Sequence, residues 1–372
     1  MSVNRLGNGT SGGSEIGEVI VDSNDLGNAV DKQDRGKVVI EMIKRLIYTR
    51  GIKLDLIVLE HPNNPLLECN VSIPALYWKV CYPSGCHLLV DDTIGSFYNV
   101  DILGSIFNRS GCITLKDQDQ NQDQNQNQYG GSSEGNDDGE DGADKIYQNI
   151  SVVSSLTKWF SGKSNVMGGS VVTKNKQIRT YFQDCTITSG IGRDRMIFPQ
   201  DCTILEYNSR DFIERMQRVN RNGQYVYKRL ADYNKYITNG NNGGSGDVDG
   251  GKTSGLIKQV YYPVNNEYYN ETIRKTSTSE SESECTNGYT ASKNGGLISV
   301  EFYNECDAIT FYNKLKCNKG PSLGTNFTLV SAYTILAHYN ELEFVNTECG
   351  VSRWLIRISV GLEEFDELDD IF

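Results

Sequence analysis

One stretch, VVSSLTKWFSGKSNVMGGS at Val152–Ser170, is the most informative for the fold and the chemistry of this chain. The apolar run Ile150–Val153 predicts a short strand, and the hydroxyl residues Ser155 and Thr157 follow it just before Lys158. Hydroxyl groups beside a lysine at a strand end can hold an anion next to an amine. A lysine amine becomes a nucleophile when burial or a neighbouring cation lowers its pKa. Two interpretations stay open: a surface lysine after a strand, or an amine that captures an aldehyde cofactor such as pyridoxal phosphate.

Two apolar strands upstream also end in polar residues. LDLIVLEHPNNP at Leu54–Pro65 contains one strand followed by Asn64, and HLLVDDT at His87–Thr93 contains another that ends at Asp91. Continuous Val, Ile and Leu runs of this kind predict a parallel sheet that is covered on both faces. Since open α/β sheets bind ligands at the carboxyl ends of their strands, we expect Asp91 near Lys158, where it can pair with a protonated pyridine nitrogen.

Seven segments in a fixed order carry a family resemblance. Three of them are E-x-P-x-N-P at Glu60–Pro65, VDDT at Val90–Thr93 and SSLTK at Ser154–Lys158. Four more follow: NSRDF at 208–212, YYP at 261–263, GPSLGTNF at 320–327 and LIRISVGLE at 355–363. The chain resembles the Cys/Met-metabolism family of pyridoxal-phosphate enzymes from Leu54 to its last residue, and the fungal branch of cystathionine γ-synthase matches best.

The resemblance implies a fold class and a division into domains. The fold would be α/β, a partial pyridoxal-phosphate transferase of fold type I (aspartate aminotransferase-like). A large domain with a mostly parallel sheet would precede a C-terminal α+β small domain. The large domain would span residues 36–207 with a disordered insert at about 113–145, and the small domain residues 255–372. Residues 1–35 and 239–254 are Gly-, Asn- and Ser-rich; we expect residues 1–35 to be disordered and 239–254 to be a low-complexity insert.

A long helix is predicted over residues 208–238 as the link between these two domains. Phe212, Met216 and Val219 begin its apolar face, which continues through Val226, Leu230, Tyr233 and Ile237. Asn208 or Ser209 would cap its first turn. A shorter amphipathic helix is predicted over residues 36–50, ahead of the first strand.

The family's cofactor roles carry over to five positions of this sequence. Lys158 would bind pyridoxal 5'-phosphate covalently and shuttle protons between substrate carbons. Asp91 would keep the pyridine nitrogen protonated, and Asn64 would lie near the phenolic oxygen of the ring. The phosphate would be bound by Ser155 and Thr157.

Substrate binding is implied at two further positions. Trp354–Val360 is a predicted strand that carries Arg357, and an arginine there suits a rim position as well as a binding role. The resemblance implies that Arg357 and Ser322 bind the α-carboxylate of the substrate, for which a planar, two-pronged guanidinium is well suited.

The resemblance implies γ-replacement, in which cysteine displaces the acyl group of an O-acylhomoserine and gives cystathionine. Elimination of the γ-lyase type stays open, because relatives in the family run it. In the family a Gly-rich loop, a ring-stacking aromatic and a Tyr and Arg reaching across the dimer precede the segment that corresponds to Glu60–Pro65. We find no counterpart before Leu54 and expect an N-terminally truncated chain. A catalytically incomplete fragment that pairs with a full-length relative is therefore the alternative.

Composition excludes several other classes of protein. A formal net charge of −12 argues against a nucleic-acid surface, and no stretch is apolar enough for a membrane span. Ten cysteines are scattered and histidines number only three, so we expect no metal site and reduced thiols in a cytoplasmic protein. A complete enzyme of this kind would be a homo-oligomer.

Overall fold

The computed structural model describes residues 32–107, 146–187, 197–240, 256–275 and 292–372. The predicted disorder at residues 1–35 therefore falls almost wholly outside the described residues, as do the inserts at 113–145 and, apart from its first two residues, 239–254.

Thirteen α-helices and nine strands lie within those ranges. The helices are α1 Lys32–Lys44, α2 Ile73–Leu76, α3 Tyr82–Ser84, α4 Ser96–Asn99, α5 Ile102–Phe107, α6 Lys176–Ile187, α7 Pro199–Ser209, α8 Phe212–Gly240, α9 Glu267–Asn270, α10 Glu305–Lys314, α11 Tyr333–Ala337, α12 Leu342–Thr347 and α13 Phe365–Ile371. The strands are β1 Leu56–Glu60, β2 His87–Asp91, β3 Ile150–Ser155, β4 Gly169–Thr173, β5 Ile257–Tyr261, β6 Leu297–Phe302, β7 Asn318–Lys319, β8 Leu329–Ala332 and β9 Ile356–Ser359. Single π-helical turns follow α1 at Arg45–Thr49, α2 at Tyr77–Cys81 and β3 at Leu156–Phe160, and a 3₁₀ turn lies at Tyr339–Glu341.

The first sheet contains the strands that the sequence predicts. Its order is β1-β2-β3-β4, in which β1, β2 and β3 are parallel and β4 is antiparallel to β3. Leu88 and Val90 of β2 and Ile150 of β3 are almost fully buried, because α1, α2 and the turn after α2 cover this part of the sheet. The prediction of a mostly parallel α/β sheet is confirmed.

The second sheet follows α8 and has the order β5-β6-β9-β8-β7. Every pairing in it is antiparallel except that of β7 with β8. Ile298, Val300 and Ile358 form its core with Val226 of α8 and Leu368 of α13. The α+β character predicted for the C-terminal part is confirmed.

The long helix begins later than its sequence pattern predicts. It spans Phe212–Gly240 rather than 208–238, and a separate helix, Pro199–Ser209, precedes it. Asn208 lies in the last turn of that earlier helix and does not cap α8. Its buried side-chain amide instead donates hydrogen bonds to Ser161 Oγ and Asn165 Oδ1, both at 2.9 Å. Tertiary hydrogen bonds have therefore overridden the local capping preference. Tyr233 also departs from the predicted apolar face, because it is 42 % exposed.

The first helix begins earlier than predicted, at Lys32 rather than residue 36. No helix among the described residues is long and apolar enough to cross a bilayer. The domain boundaries drawn from the resemblance remain predictions.

Candidate active site

Lys158 lies in the π-helical turn Leu156–Phe160, at the start of the loop between β3 and β4. The two strands form an antiparallel pair, and Leu156 closes the loop between them by donating its backbone N–H to Gly168 O at 2.9 Å. Lys158 itself has φ −84° and ψ −122°, which interrupts the helical turn on either side of it. The predicted position of the lysine, just beyond a buried strand, is thus where the chain changes direction.

The Lys158 side chain points to a loop of the second sheet. Its Nζ donates a hydrogen bond to Ser322 Oγ at 3.1 Å. Burial lowers the pKa of the Lys158 amine from its ordinary value, and the positive charge of Arg357 lowers it further. A lysine with a lowered pKa is a better nucleophile at neutral pH.

Gly324 fixes the approach of that loop to the lysine. Its φ is +73°, and a Cβ at this position would lie 2.6 Å from Trp159 N and 3.0 Å from Lys158 Cβ. Its backbone N–H donates to Ser359 Oγ at 2.8 Å, so the loop is tied to β9 as well. Only glycine allows this close contact.

Arg357 lies in β9 and is 3 % exposed. Its Nη2 donates to the backbone oxygens of Pro321 at 2.5 Å and Ser322 at 3.1 Å, and its Nη1 donates to Asn64 Oδ1 at 3.1 Å. Burial lowers the pKa of the guanidinium. Of its five N–H groups, three are used by these bonds, and Nε is buried without a partner among the described residues. Two donors therefore remain for a ligand, which an α-carboxylate fits.

Asn64 connects the first sheet to this arginine. It follows β1, where its backbone N–H donates to Glu60 Oε2 at 2.9 Å. Its Nδ2 donates to the hydroxyl of Tyr333 at 3.2 Å, while its Oδ1 accepts from Arg357. The structure thus brings together Lys158, Ser322, Arg357 and Asn64, four of the seven residues predicted from the sequence.

Carboxylates gather at the ends of β1 and β2. Glu60 and Asp91 are paired in register, and Asp91 Oδ1 accepts a hydrogen bond from Thr93 N at 2.9 Å. Burial raises the pKa of Glu60, and the charge of Asp91 adds to that rise. The neighbouring Asp92 is almost fully buried, and its Oδ1 has no partner among the described residues. Burial raises the pKa of Asp92 to about 6, although a hydrogen bond from Ser154 opposes the rise.

Ser155 and Thr157 lie at the end of β3, where a phosphate was predicted. The backbone N–H of Ser155 donates to Thr93 Oγ1 at 2.9 Å, which ties the end of β3 to the residues after Asp91. Thr157 Oγ1 accepts from Gly168 N at 3.0 Å and donates to Gly168 O in a long bond of 3.5 Å. Within the described ranges no side-chain hydrogen bond joins Lys158 to Ser155, Thr157 or Asp91. The roles of all seven predicted residues remain predictions.

Sequence reasoning missed two residues of this region. Tyr333 packs its ring on the guanidinium of Arg357, with 4.8 Å between the ring centroid and Cζ. Arg215 of α8 is buried and donates to Trp159 O, to Phe160 O and to Asn326 Oδ1. Neither position has a local sequence signal, since each acquires its role from segments far away in the chain.

These residues fit the pyridoxal phosphate that the resemblance implies. A half-buried lysine with a lowered pKa suits covalent capture of an aldehyde. The carboxylate of Asp91 stands at a strand end, where it can face a pyridine nitrogen, and Asn64 lies beside the predicted carboxylate site. The hydroxyls of Ser155 and Thr157 can bind phosphate, and the loop at Gly324 packs directly against Lys158.

No family model matches the chain. It is 35% identical to a cystathionine gamma-synthase of Neurospora crassa over 84% of this chain and 37% of that protein. The chain spans about two fifths of the length of the curated relatives it matches.

Solved structures show the same fold. A cystathionine gamma synthase from Xanthomonas oryzae pv. oryzae, in complex with aminoacrylate and cysteine, has a TM-score of 0.57 at 17% identity, covering 87% of this chain and 63% of that one. A cystathionine gamma-lyase from Lactobacillus plantarum, complexed with L-serine, has a TM-score of 0.56 at 20% identity, covering 85% and 62%.

Proposed function

Because this chain belongs to the Cys/Met-metabolism family of pyridoxal-phosphate enzymes, we propose that it carries out γ-replacement. In this reaction the sulfur of cysteine bonds to the γ-carbon of an O-acylhomoserine, the bond from that carbon to the ester oxygen breaks, and the acyloxy group leaves as a carboxylate while cystathionine is formed. Pyridoxal phosphate, when bound, would supply an electron sink for the α-carbon of the substrate. We further propose that the protein acts in the cytoplasm and as a homo-oligomer.

The meeting of Lys158 with Ser322 is the observation that supports this proposal most strongly. Lys158 Nζ is 3.1 Å from Ser322 Oγ, and the backbone oxygen of Ser322 in turn accepts from Arg357 at 3.1 Å. Ser322 therefore contacts both the Lys158 amine, whose pKa is lowered, and the buried guanidinium of Arg357, which retains unused N–H donors. An amino acid whose carboxylate is bound at Arg357 would present its α-carbon towards Lys158.

Each residue of the chain has a distinct part in the proposed reaction. Lys158 Nζ would hold the cofactor, take the proton from the α-carbon and return it during turnover. Arg357 and Ser322 would orient the carboxylate. Asp91 would keep the pyridine nitrogen protonated, and Asn64 would hydrogen-bond the ring's phenolic oxygen. The phosphate would be held by Ser155 and Thr157.

The first experiment adds pyridoxal phosphate to the purified protein and records the absorbance of the captured cofactor. Lys158→Ala should abolish the change, because the imine-forming amine is gone. Lys163→Ala is the matched control, since Lys163 is an exposed lysine five residues away that contacts the ring of Tyr207. Equal capture by the Lys158→Ala variant would refute the assignment of this lysine.

The reaction itself is then tested with O-acylhomoserine and cysteine, with mass spectrometry of the product. Cystathionine formation supports γ-replacement. The second candidate, γ-elimination, is favoured by the fold likeness to a γ-lyase, and it predicts instead that cystathionine is consumed and a keto acid appears.

A third candidate is a non-catalytic chain that acts by pairing with a longer relative. Capture of the cofactor without turnover of either substrate set would favour this candidate over both reactions.

A further inference from the structure

Tyr333 stands at the start of α11, directly after β8, and contacts both Arg357 and Asn64. Its ring centroid is 4.8 Å from Cζ of Arg357, within the range of a cation–π interaction. The guanidinium is thereby packed on one face by the tyrosine ring while its edge is held by the backbone oxygens of Pro321 and Ser322. The ring thus restricts where a ligand can reach Arg357.

The Tyr333 hydroxyl determines how Asn64 is oriented. It accepts a hydrogen bond from Asn64 Nδ2 at 3.2 Å, and this leaves Asn64 Oδ1 turned to Arg357 Nη1. A single amide therefore bridges a phenol and a guanidinium. If the hydroxyl were removed, the Nδ2 group would lose its acceptor and the amide would be free to rotate away from the arginine.

The Tyr333 hydroxyl also keeps a proton that it can donate. Burial raises the pKa of Tyr333, so the phenol keeps its proton at neutral pH. No described residue accepts that proton, because the one hydrogen bond of the hydroxyl within the described ranges is the bond it accepts from Asn64. Arg357, with two unused N–H groups, and Tyr333, with its unused O–H, are thus in contact with each other.

We propose that Tyr333 is a substrate-binding residue, which donates a hydrogen bond to the carboxylate held by Arg357 and keeps Asn64 and Arg357 in their binding orientation. The carboxylate receptor then consists of three side chains, Arg357, Asn64 and Tyr333, in addition to Ser322. That the carboxylate belongs to an amino-acid substrate rests on the proposed function.

The test uses a ligand that cannot react with the cofactor. The probe is 4-hydroxybutanoate, which is homoserine without its amino group, and its uncharged partner is 4-hydroxybutanamide. Binding of both to the full chain, incubated with pyridoxal phosphate, is measured by calorimetry for the wild type and for Tyr333→Phe. Tyr261→Phe is the matched control, because Tyr261 packs in the same apolar cluster and donates to Glu301 Oε2 at 2.9 Å, outside the receptor.

We expect Tyr333→Phe to weaken binding of the carboxylate by about tenfold or more, since a hydrogen bond to a charged group is lost. Binding of the amide should change little, so the preference for the carboxylate falls. Tyr261→Phe should retain the wild-type preference. A general loss of structure would weaken both ligands alike and would also show in the circular dichroism spectrum.

Two results would overturn the inference. One is an unchanged preference in Tyr333→Phe while Arg357→Met loses it, and the other is a wild-type chain that does not prefer the carboxylate. Neither result depends on cofactor capture, which the absorbance experiment with Lys158→Ala judges separately. A failure of the proposed function and a failure of the three-residue receptor are therefore distinguishable. Tyr333→Leu, which also removes the ring, should bind the carboxylate no better than Tyr333→Phe.

Discussion

Two buried arginines lie near Lys158, and they are bonded in different ways. Arg215 uses all five of its N–H groups, on Asp211, Trp159, Asn326, Phe160 and Asn208. Arg357 is even less exposed but uses three, and its Nε has no partner within the described ranges. A guanidinium with every donor used holds chain segments together, whereas one with donors to spare can bind a ligand. The comparison indicates a structural role for Arg215 and supports the proposed ligand-binding role of Arg357.

Replacing each arginine by methionine should give the largest difference in unfolding free energy between the two positions. Arg215→Met should lower the free energy of unfolding by about 3–5 kcal/mol, because it leaves three backbone oxygens without their donor. Arg357→Met should cost at most about 2 kcal/mol, since relief of a buried charge offsets the lost bonds. Urea denaturation of both variants checks the order. A larger loss of stability in Arg357→Met would contradict the assignment of roles.

Adding a methyl group at Gly324 should cause the next largest loss of unfolding free energy. Gly324→Ala forces a left-handed residue to carry a Cβ 2.6 Å from Trp159 N, so we expect a loss of about 2–4 kcal/mol. Gly350→Ala is the matched control, because Gly350 has φ +65° and open space around it. That variant should lose only about 1–2 kcal/mol, the cost of the left-handed backbone. Equal losses in urea denaturation would show that the loop can move away from Lys158.

The smallest expected effect concerns Asp92, a third buried ionisable group beside the site. Its pKa is raised to about 6 in the folded chain, above its value in the unfolded chain, so the folded state binds the proton more tightly. Stability should therefore rise as the pH falls from about 7 through 6 towards 4, by up to about 3 kcal/mol from this group.

Asp92→Asn should remove that contribution and leave a flatter stability profile between about pH 4 and 6. The midpoint of urea denaturation at several pH values measures it. Asp55→Asn is the control, since Asp55 is exposed and pairs with Lys53 at 2.8 Å. A wild-type profile in Asp92→Asn would mean that another group titrates in this range.

Local patterns predicted the parts of the site that lie at strand ends. Lys158, Asp91 and Asn64 each follow an apolar run, and the run itself indicates where the strand stops. Tyr333 and Arg215 could not be found in this way, because their partners lie up to 269 residues away for Tyr333 and 111 for Arg215. The cap predicted at Asn208 failed for the same reason, since Ser161 and Asn165 bind its side chain. Local sequence preference loses to a buried tertiary hydrogen bond.

The position of β9 has a consequence for how the chain is made. β9 is the last of the described strands along the chain, yet it lies in the middle of the second sheet, between β6 and β8. While the ribosome has not yet released Ile356–Ser359, β6 and β8 each lack the strand that lies between them in the folded sheet. Arg357 reaches Asn64 across 293 residues, so the proposed binding site forms only after the segment from Asn64 to Arg357 has emerged. Long-range pairing of this kind slows folding and exposes strand edges to other chains, so chaperone demand should be greatest just before β9 appears.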